Sequence, residues 1–308
     1  MKIFSGSSNK PLASDIALHL DIPLSPVEIF VFPDGERRVR IEENVVEEDV
    51  IIVQSTSTPV DHNYMELFFL IDSAKRSGAK SVIVVMPYFG YQRQDHVFRD
   101  GEAVSLDVVI KMLEALQVDR VVSFDLHSIK IPQLFHIPLL HLSALPLFAC
   151  VAEKSHWTKQ DTCLVSPDLG GLRRIDQMST LLDDMGHLVT VKDRDLNTGD
   201  IVINKIEGDV KLLKKRAVIV DDIISSGKTI IKSAQLLAKN GVEELYVFAT
   251  HAIFSDHAHA RLQESPVTKV FVTDSVFIPQ EKRFEKLEII SLASEIAQSM
   301  RMVANGNE

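Results

Sequence analysis

The segment Lys215-Arg216-Ala217-Val218-Ile219-Val220-Asp221-Asp222-Ile223-Ile224-Ser225-Ser226-Gly227-Lys228-Thr229 decides how the rest of the chain is read. Its run Ala217–Val220 has no polar alternation, so it reads as a strand covered on both faces. After it, Ile230, Ile231, Ala234, Leu237 and Ala238 recur at helical spacing, and Gly241 is placed to end the helix. Strand, acidic pair, small hydroxyl residues, glycine and helix N-terminus together suit a sugar phosphate. Backbone N–H groups of the Ser225–Thr229 turn, backed by the helix dipole, can hold a phosphate, and Asp221 and Asp222 can accept from two vicinal hydroxyls. The ending Gly227-Lys228-Thr229 imitates a Walker A loop. Asp222 stands where that motif has its first glycine, which rules it out.

The same alternation of apolar run and helical period extends over most of the chain. Strands are expected at Val50–Val53, Ser81–Met86, Arg120–Phe124, Thr162–Val165, Leu188–Val191, Leu245–Ala249 and Lys269–Val272, besides Ala217–Val220. Helices are expected at Tyr64–Lys75, Leu106–Leu116, Arg173–Met185 and Thr229–Ala238. This pattern indicates an α/β protein of two doubly wound domains with mainly parallel sheets, residues 1–142 and 143–308. A closing helix over about Leu292–Val303 is free to pack back on the first domain. In open parallel sheets ligands sit beyond the carboxyl ends of the strands, so the polar residues after each run are the informative ones.

Composition narrows the function classes. The 308 residues are 45% hydrophobic and 25% charged, as in globular proteins, and carry a net charge of −10. A chain this acidic is a poor partner for nucleic acid or an anionic membrane, so any polyanion must meet a local basic site or a bound metal. The longest apolar stretch, Ile137–Ala152, is broken by Pro138, His141 and Pro146 and is too short to span a bilayer. Cys150 and Cys163 form no C-x-x-C pair and read as inert buried thiols in a reducing, cytoplasmic setting.

Five further segments follow strands or occupy bends. Phe32-Pro33-Asp34-Gly35-Glu36 sets two carboxylates and an aromatic in a bend. Pro87 to Asp95, PYFGYQRQD, combines aromatics able to stack on a purine with Arg93, Gln94 and Asp95, which can bond its edge and phosphates. Asp125-Leu126-His127 follows a strand, and in extended chain Asp125 and His127 share a side. Asp168, in Pro167-Asp168-Leu169-Gly170-Gly171, offers hard oxygen to Mg²⁺. Alternation puts Lys192 and Arg194 on one side of Val191–Leu196, a cation pair suited to a transferring phosphoryl group. His257-Ala258-His259 lacks partners at ligand spacing and reads as a polar surface stretch.

Taken in order, FPDGE, PYFGYxRQD, DLH, PDxGG, KxR and VDDIxSxxxT resemble the motifs of the ribose-phosphate pyrophosphokinases. The resemblance covers nearly the whole chain. It implies two phosphoribosyltransferase-like domains and transfer of the β,γ-diphosphate of ATP to O1 of ribose 5-phosphate, with Mg²⁺. By position, Phe32, Asp34, Gly35, Glu36, Arg93, Gln94 and Asp95 would hold ATP, and His127 and Asp168 would bind or organise Mg²⁺. Lys192 and Arg194 would stabilise the moving diphosphoryl group. Arg194, Asp221, Asp222, Ser225, Ser226, Gly227, Lys228 and Thr229 would hold ribose 5-phosphate. The resemblance also implies a homo-oligomer built from dimers, with the Phe32–Glu36 loop reaching a neighbour's ATP site. Asp193 replaces an Arg common in the family, Ser225 an acid, and Lys228 a small residue. The stretch His96–Glu102 is closer to an archaeal-type class. A phosphoribosyltransferase that consumes the product would share the acidic pair but has no use for Phe32–Glu36 or Arg93–Asp95.

Overall fold

The computed structural model describes residues 1–194 and 201–306, which divide into two compact units. In the first, β1 (Lys2–Ser5), α1 (Lys10–Leu20), β2 (Val27–Val31), β3 (Arg37–Ile41), β4 (Asp49–Val53), α2 (Val60–Arg76), β5 (Ser81–Met86), α3 (Ser105–Ala115), β6 (Arg120–Phe124) and β7 (Leu139–Leu142) follow in turn. The strands β1-β4-β5-β6-β7 form one parallel sheet, in that order. Val50, Ile52, Val82, Val84 and Val121 are fully buried in it beneath Leu67, Ile71, Ile110 and Leu113 of the helices. Ile51, Val53, Val85 and Val122, at the alternate positions, are buried as well, so the continuous Val/Ile runs are strands with both faces covered.

The second unit comprises α4 (Leu145–Lys154), β8 (Thr162–Ser166), α5 (Leu172–Leu181), β9 (His187–Arg194), β10 (Ile201–Glu207), β11 (Arg216–Ile224), α6 (Lys228–Lys239), β12 (Glu244–Ala252), α7 (Ala258–Glu264), β13 (Lys269–Thr273) and β14 (Leu287–Ile290). Its sheet runs β10-β9-β8-β11-β12-β13-β14, parallel except for the antiparallel β9–β10 pair. Helix α6 buries Ile230, Ala234 and Leu237 against Ala217, Ile219 and Val247. The mainly parallel α/β class is the one expected.

The final helix, α8 (Ala293–Ala304), turns Ala293, Ile296, Ala297 and Met300 inward and packs on α1. Ser275–Phe277 and the segment from Ser291 onward accordingly group with the first unit, so the second does not run unbroken to the chain end. Two local expectations are corrected. Helix α5 stops at Leu181 instead of Met185, because Asp183 and Asp184 take left-handed φ of 54° and 58°. Cys150 is exposed, and only Cys163 is a buried thiol. No helix among the described residues is long and apolar enough to cross a membrane.

Candidate active site

In the first unit the Phe32–Glu36 motif is the tip of the β2–β3 hairpin. Phe32 N–H donates to Glu36 O (2.8 Å), Gly35 N–H to Phe32 O (2.9 Å), and Glu36 N–H to Asp34 Oδ1 (3.2 Å). Gly35 carries a φ of 94°, which only glycine adopts without strain. All five tip residues are exposed. The base is held firmly: Arg37 Nη1 lies 2.8 Å from Oε2 of Glu66 on α2, a carboxylate with no solvent exposure. Ser7 and Gln54 also donate to Glu66.

The segment after β5 is bolted down before it reaches its polar residues. Thr56 accepts from Gly90 N–H (2.7 Å), and Tyr64 Oη donates to Gly90 O (2.8 Å). A Cβ on Gly90 would stand 2.4 Å from Thr56 O, so the close approach demands glycine. Beyond it, Val60, Tyr88, Tyr91, Gln92, Arg93 and Gln94 line a cavity of about 420 Å³. Tyr91 donates to Asp61, and this hydrogen bond, ahead of burial, raises its phenol pKa. Asp95 Oδ1 meets His96 Nδ1 at 2.6 Å.

His127 is exposed, whereas Asp125 is 8% exposed. The expectation that both share one side of an extended strand is overturned: β6 ends at Phe124, and Asp125 turns left-handed with φ 33°.

In the second unit, Asp168 follows β8 and its Oδ1 accepts from Gly171 N–H at 3.2 Å. Asp221 and Asp222 lie on the last part of β11, with side chains 20% and 5% exposed. Arg174, in the first turn of α5, forks between them, with Nη1 3.4 Å from Asp221 Oδ1 and Nη2 3.4 Å from Asp222 Oδ1. Burial first, and the charge of Asp222 second, push the Asp221 carboxyl well above its ordinary pKa; Arg174 opposes this, and Asp168 is close enough to add to it. The next turn is set by Gly227, left-handed at φ 71°, and α6 starts at Lys228 with no side chain capping its first turn. Ser225 and Ser226 are tied to the segment after β12, through Ser255 Oγ (3.0 Å) and the Arg261 guanidinium (2.8 Å). Lys228 is 62% exposed, its Nζ 3.7 Å from Asp256 Oδ2.

The structure therefore gathers Asp168, Asp221, Asp222 and the Ser225–Thr229 turn at one end of the second sheet, and Arg93 and Gln94 on one cavity of the first unit. Lys192 and Arg194 fall on β9, opposite Ile203 and Ile201 of β10. Their side chains lie outside the described residues. Arg174 was missed by sequence reasoning, although a signal existed. Arg173 and Arg174 are cations at a helix start, where the macrodipole disfavours them unless an acid is near.

Residues 1–116 match the N-terminal domain of ribose phosphate pyrophosphokinase, and residues 202–308 match the phosphoribosyl synthetase-associated domain. A ribose-phosphate pyrophosphokinase of Fusobacterium nucleatum is 37% identical over 307 residues, covering 99% of this chain and 95% of its own. The chain belongs to the ribose-phosphate pyrophosphokinase family. A family member from Caldanaerobacter subterraneus is 36% identical, with the same coverage of both chains. The crystal structure of phosphoribosylpyrophosphate synthetase from Mycobacterium smegmatis superposes with a TM-score of 0.91 at 32% identity, covering 99% of each chain. The family gives the α/β architecture and the enzyme class.

Proposed function

We propose that the chain transfers the β,γ-diphosphate of ATP to O1 of ribose 5-phosphate, giving phosphoribosyl pyrophosphate and AMP. The observation that carries this reading is the end of β11 in a member of this family. Two adjacent carboxylates there, held by Arg174, are followed by a glycine turn and an uncapped helix start. Asp221 and Asp222 accept from the ribose hydroxyls, and the N–H groups of Ser225–Thr229 take the 5-phosphate. Lys228, 62% exposed and 3.7 Å from Asp256 Oδ2, can swing to that phosphate. Arg93, Gln94 and Asp95 hold ATP with the exposed hairpin tip Phe32, Asp34, Gly35 and Glu36. A tip this exposed suits contact with a second copy, in keeping with a homo-oligomer built from dimers.

Among the described residues no three His, Cys, Asp or Glu side chains converge into a ready-made metal site. Mg²⁺ does not need one, since it keeps several waters and binds through one or two carboxylates plus substrate phosphates. Asp168 in the second unit and His127 in the first each offer one ligand by themselves. Burial first and the charge of Asp222 second raise the Asp221 pKa, and a divalent cation beside the carboxylates offsets both. When bound, Mg²⁺ supplies charge neutralisation of the diphosphate. The chain's own contribution is positioning of the sugar O1 and placement of Lys192 and Arg194 against charge that develops in transfer. Nothing in a net charge of −10 or in the described helices calls for nucleic acid or a membrane, and a free exposed Cys150 suits the cytoplasm. Phosphorus NMR of a reaction holding ATP, Mg²⁺ and ribose 5-phosphate tests the reading. A new diphosphate signal on a sugar that keeps its 5-phosphate, with AMP, supports it; a second monophosphate ester on the sugar, with ADP, contradicts it.

A further inference from the structure

Gln92 stands at the x of PYFGYxRQD, and the functional reading above leaves it without a role. It is 1% exposed, and its Oε1 accepts from the backbone N–H of His127 at 2.9 Å. A backbone N–H can only donate, so the oxygen end of the amide must face His127 and the NH₂ end must face away. That Nε2 is buried with no hydrogen-bond partner among the described residues. A buried, unpartnered donor is unfavourable, and an apolar side chain of the same size would fill the space without it. Packing therefore does not account for the amide; the bond to His127 does.

Three consecutive N–H groups hold the turn that carries His127. Asp125 N–H donates to Leu142 O (3.0 Å) and Leu126 N–H to His141 Nε2 (2.9 Å), so β7 and its residues hold the first two. The third, that of His127, is held by Gln92, which lines the same cavity as Arg93 and Gln94. Left-handed Asp125 has already ended the ladder of β6, so the sheet does not fix this third group.

We propose that Gln92 is a positioning residue that locks the His127 backbone to the Arg93–Asp95 segment, so that the metal-organising and nucleotide-holding groups keep one register. The proposal rests on the functional reading above. Its test is a double-mutant cycle in the full-length enzyme with Gln92→Met, His127→Ala and the pair, assayed for AMP formation from ATP, Mg²⁺ and ribose 5-phosphate. Gln92→Met, which keeps the volume and loses the acceptor, should lower kcat about tenfold, or about 1.4 kcal/mol. It should raise the Mg²⁺ concentration needed for half activity and leave both the KM for ribose 5-phosphate and the melting midpoint unchanged. Added to His127→Ala, it should cost nothing further. Gln92→Asn, which withdraws the acceptor by one methylene, should give the same pattern and serves if the Met variant fails to fold. Full kcat in the Gln92 variants, or losses that multiply in the pair, would overturn the proposal. Retained activity in His127→Ala alone, or no AMP from the wild type, would instead bring down the functional reading beneath it.

Discussion

Replacing Arg174 with Met removes the guanidinium that forks between Asp221 and Asp222 while keeping much of its aliphatic bulk. Losing one partner of a fully buried ion pair costs about 3–5 kcal/mol. Here the Arg174 side chain is 14% exposed and both contacts are 3.4 Å, longer than a tight charge-assisted bond, so about 2 kcal/mol is the better figure. At roughly 2–4 °C per kcal/mol for a domain of this size, the melting midpoint should fall by about 4–8 °C. The loss should depend on pH, with a definite sign. The Asp221 carboxyl is raised well above its ordinary value, by burial first and Asp222 next, with Arg174 holding it down. A carboxyl raised in the fold stays protonated where the unfolded chain has already ionised, so its contribution to stability falls as pH climbs from the ordinary carboxylate value to the raised one. Removing Arg174 raises it further and extends that decline upward. Differential scanning fluorimetry should therefore show a deficit that is smaller at about pH 5 than at about pH 8. A deficit independent of pH, or larger on the acid side, would refute the reasoning.

The remaining predictions concern catalysis and binding. Lys192→Ala should lower kcat by on the order of a hundredfold with KM values little changed, because the charge it meets develops in the transition state; a loss confined to affinity would make Lys192 a binding residue. His127→Ala and Asp168→Ala should each raise the Mg²⁺ concentration for half activity in a metal titration, and an unchanged dependence in both would leave them structural. Lys228→Ala should raise the KM for ribose 5-phosphate several-fold and leave that for ATP alone; equal effects on both substrates, or none, would show that Lys228 stays with Asp256 or in water.

What was legible in the sequence was local. Each Val/Ile run named beforehand is a strand, because a strand buried on both faces needs no partner to announce itself. The β2–β3 hairpin was not named. Its Arg37, Arg38 and Arg40 make a strand that looks polar, and it is recognisable only once Arg37 meets Glu66 across 29 residues. The closing helix was seen, but its place on α1 depends on a surface 280 residues away in sequence that no local pattern records. The site divides in the same way. Asp221–Thr229 and the Phe32–Glu36 bend could be picked out as candidates because each is one short continuous segment. Arg174 and Gln92 were not, since each acts on a residue from a different segment, 47 and 35 positions away. The turn at Asp125 defeated a periodicity argument because alternation holds only while φ stays extended.

The central claim is that a diphosphoryl group moves as one piece. Incubation of the protein with ATP, Mg²⁺ and ribose 5-phosphate, followed by nucleotide separation, tests it most directly. Transfer of the intact group gives AMP in one-to-one proportion to ribose 5-phosphate consumed, with no ADP intermediate. ADP as the nucleotide product would mean transfer of a single phosphoryl group and would contradict it.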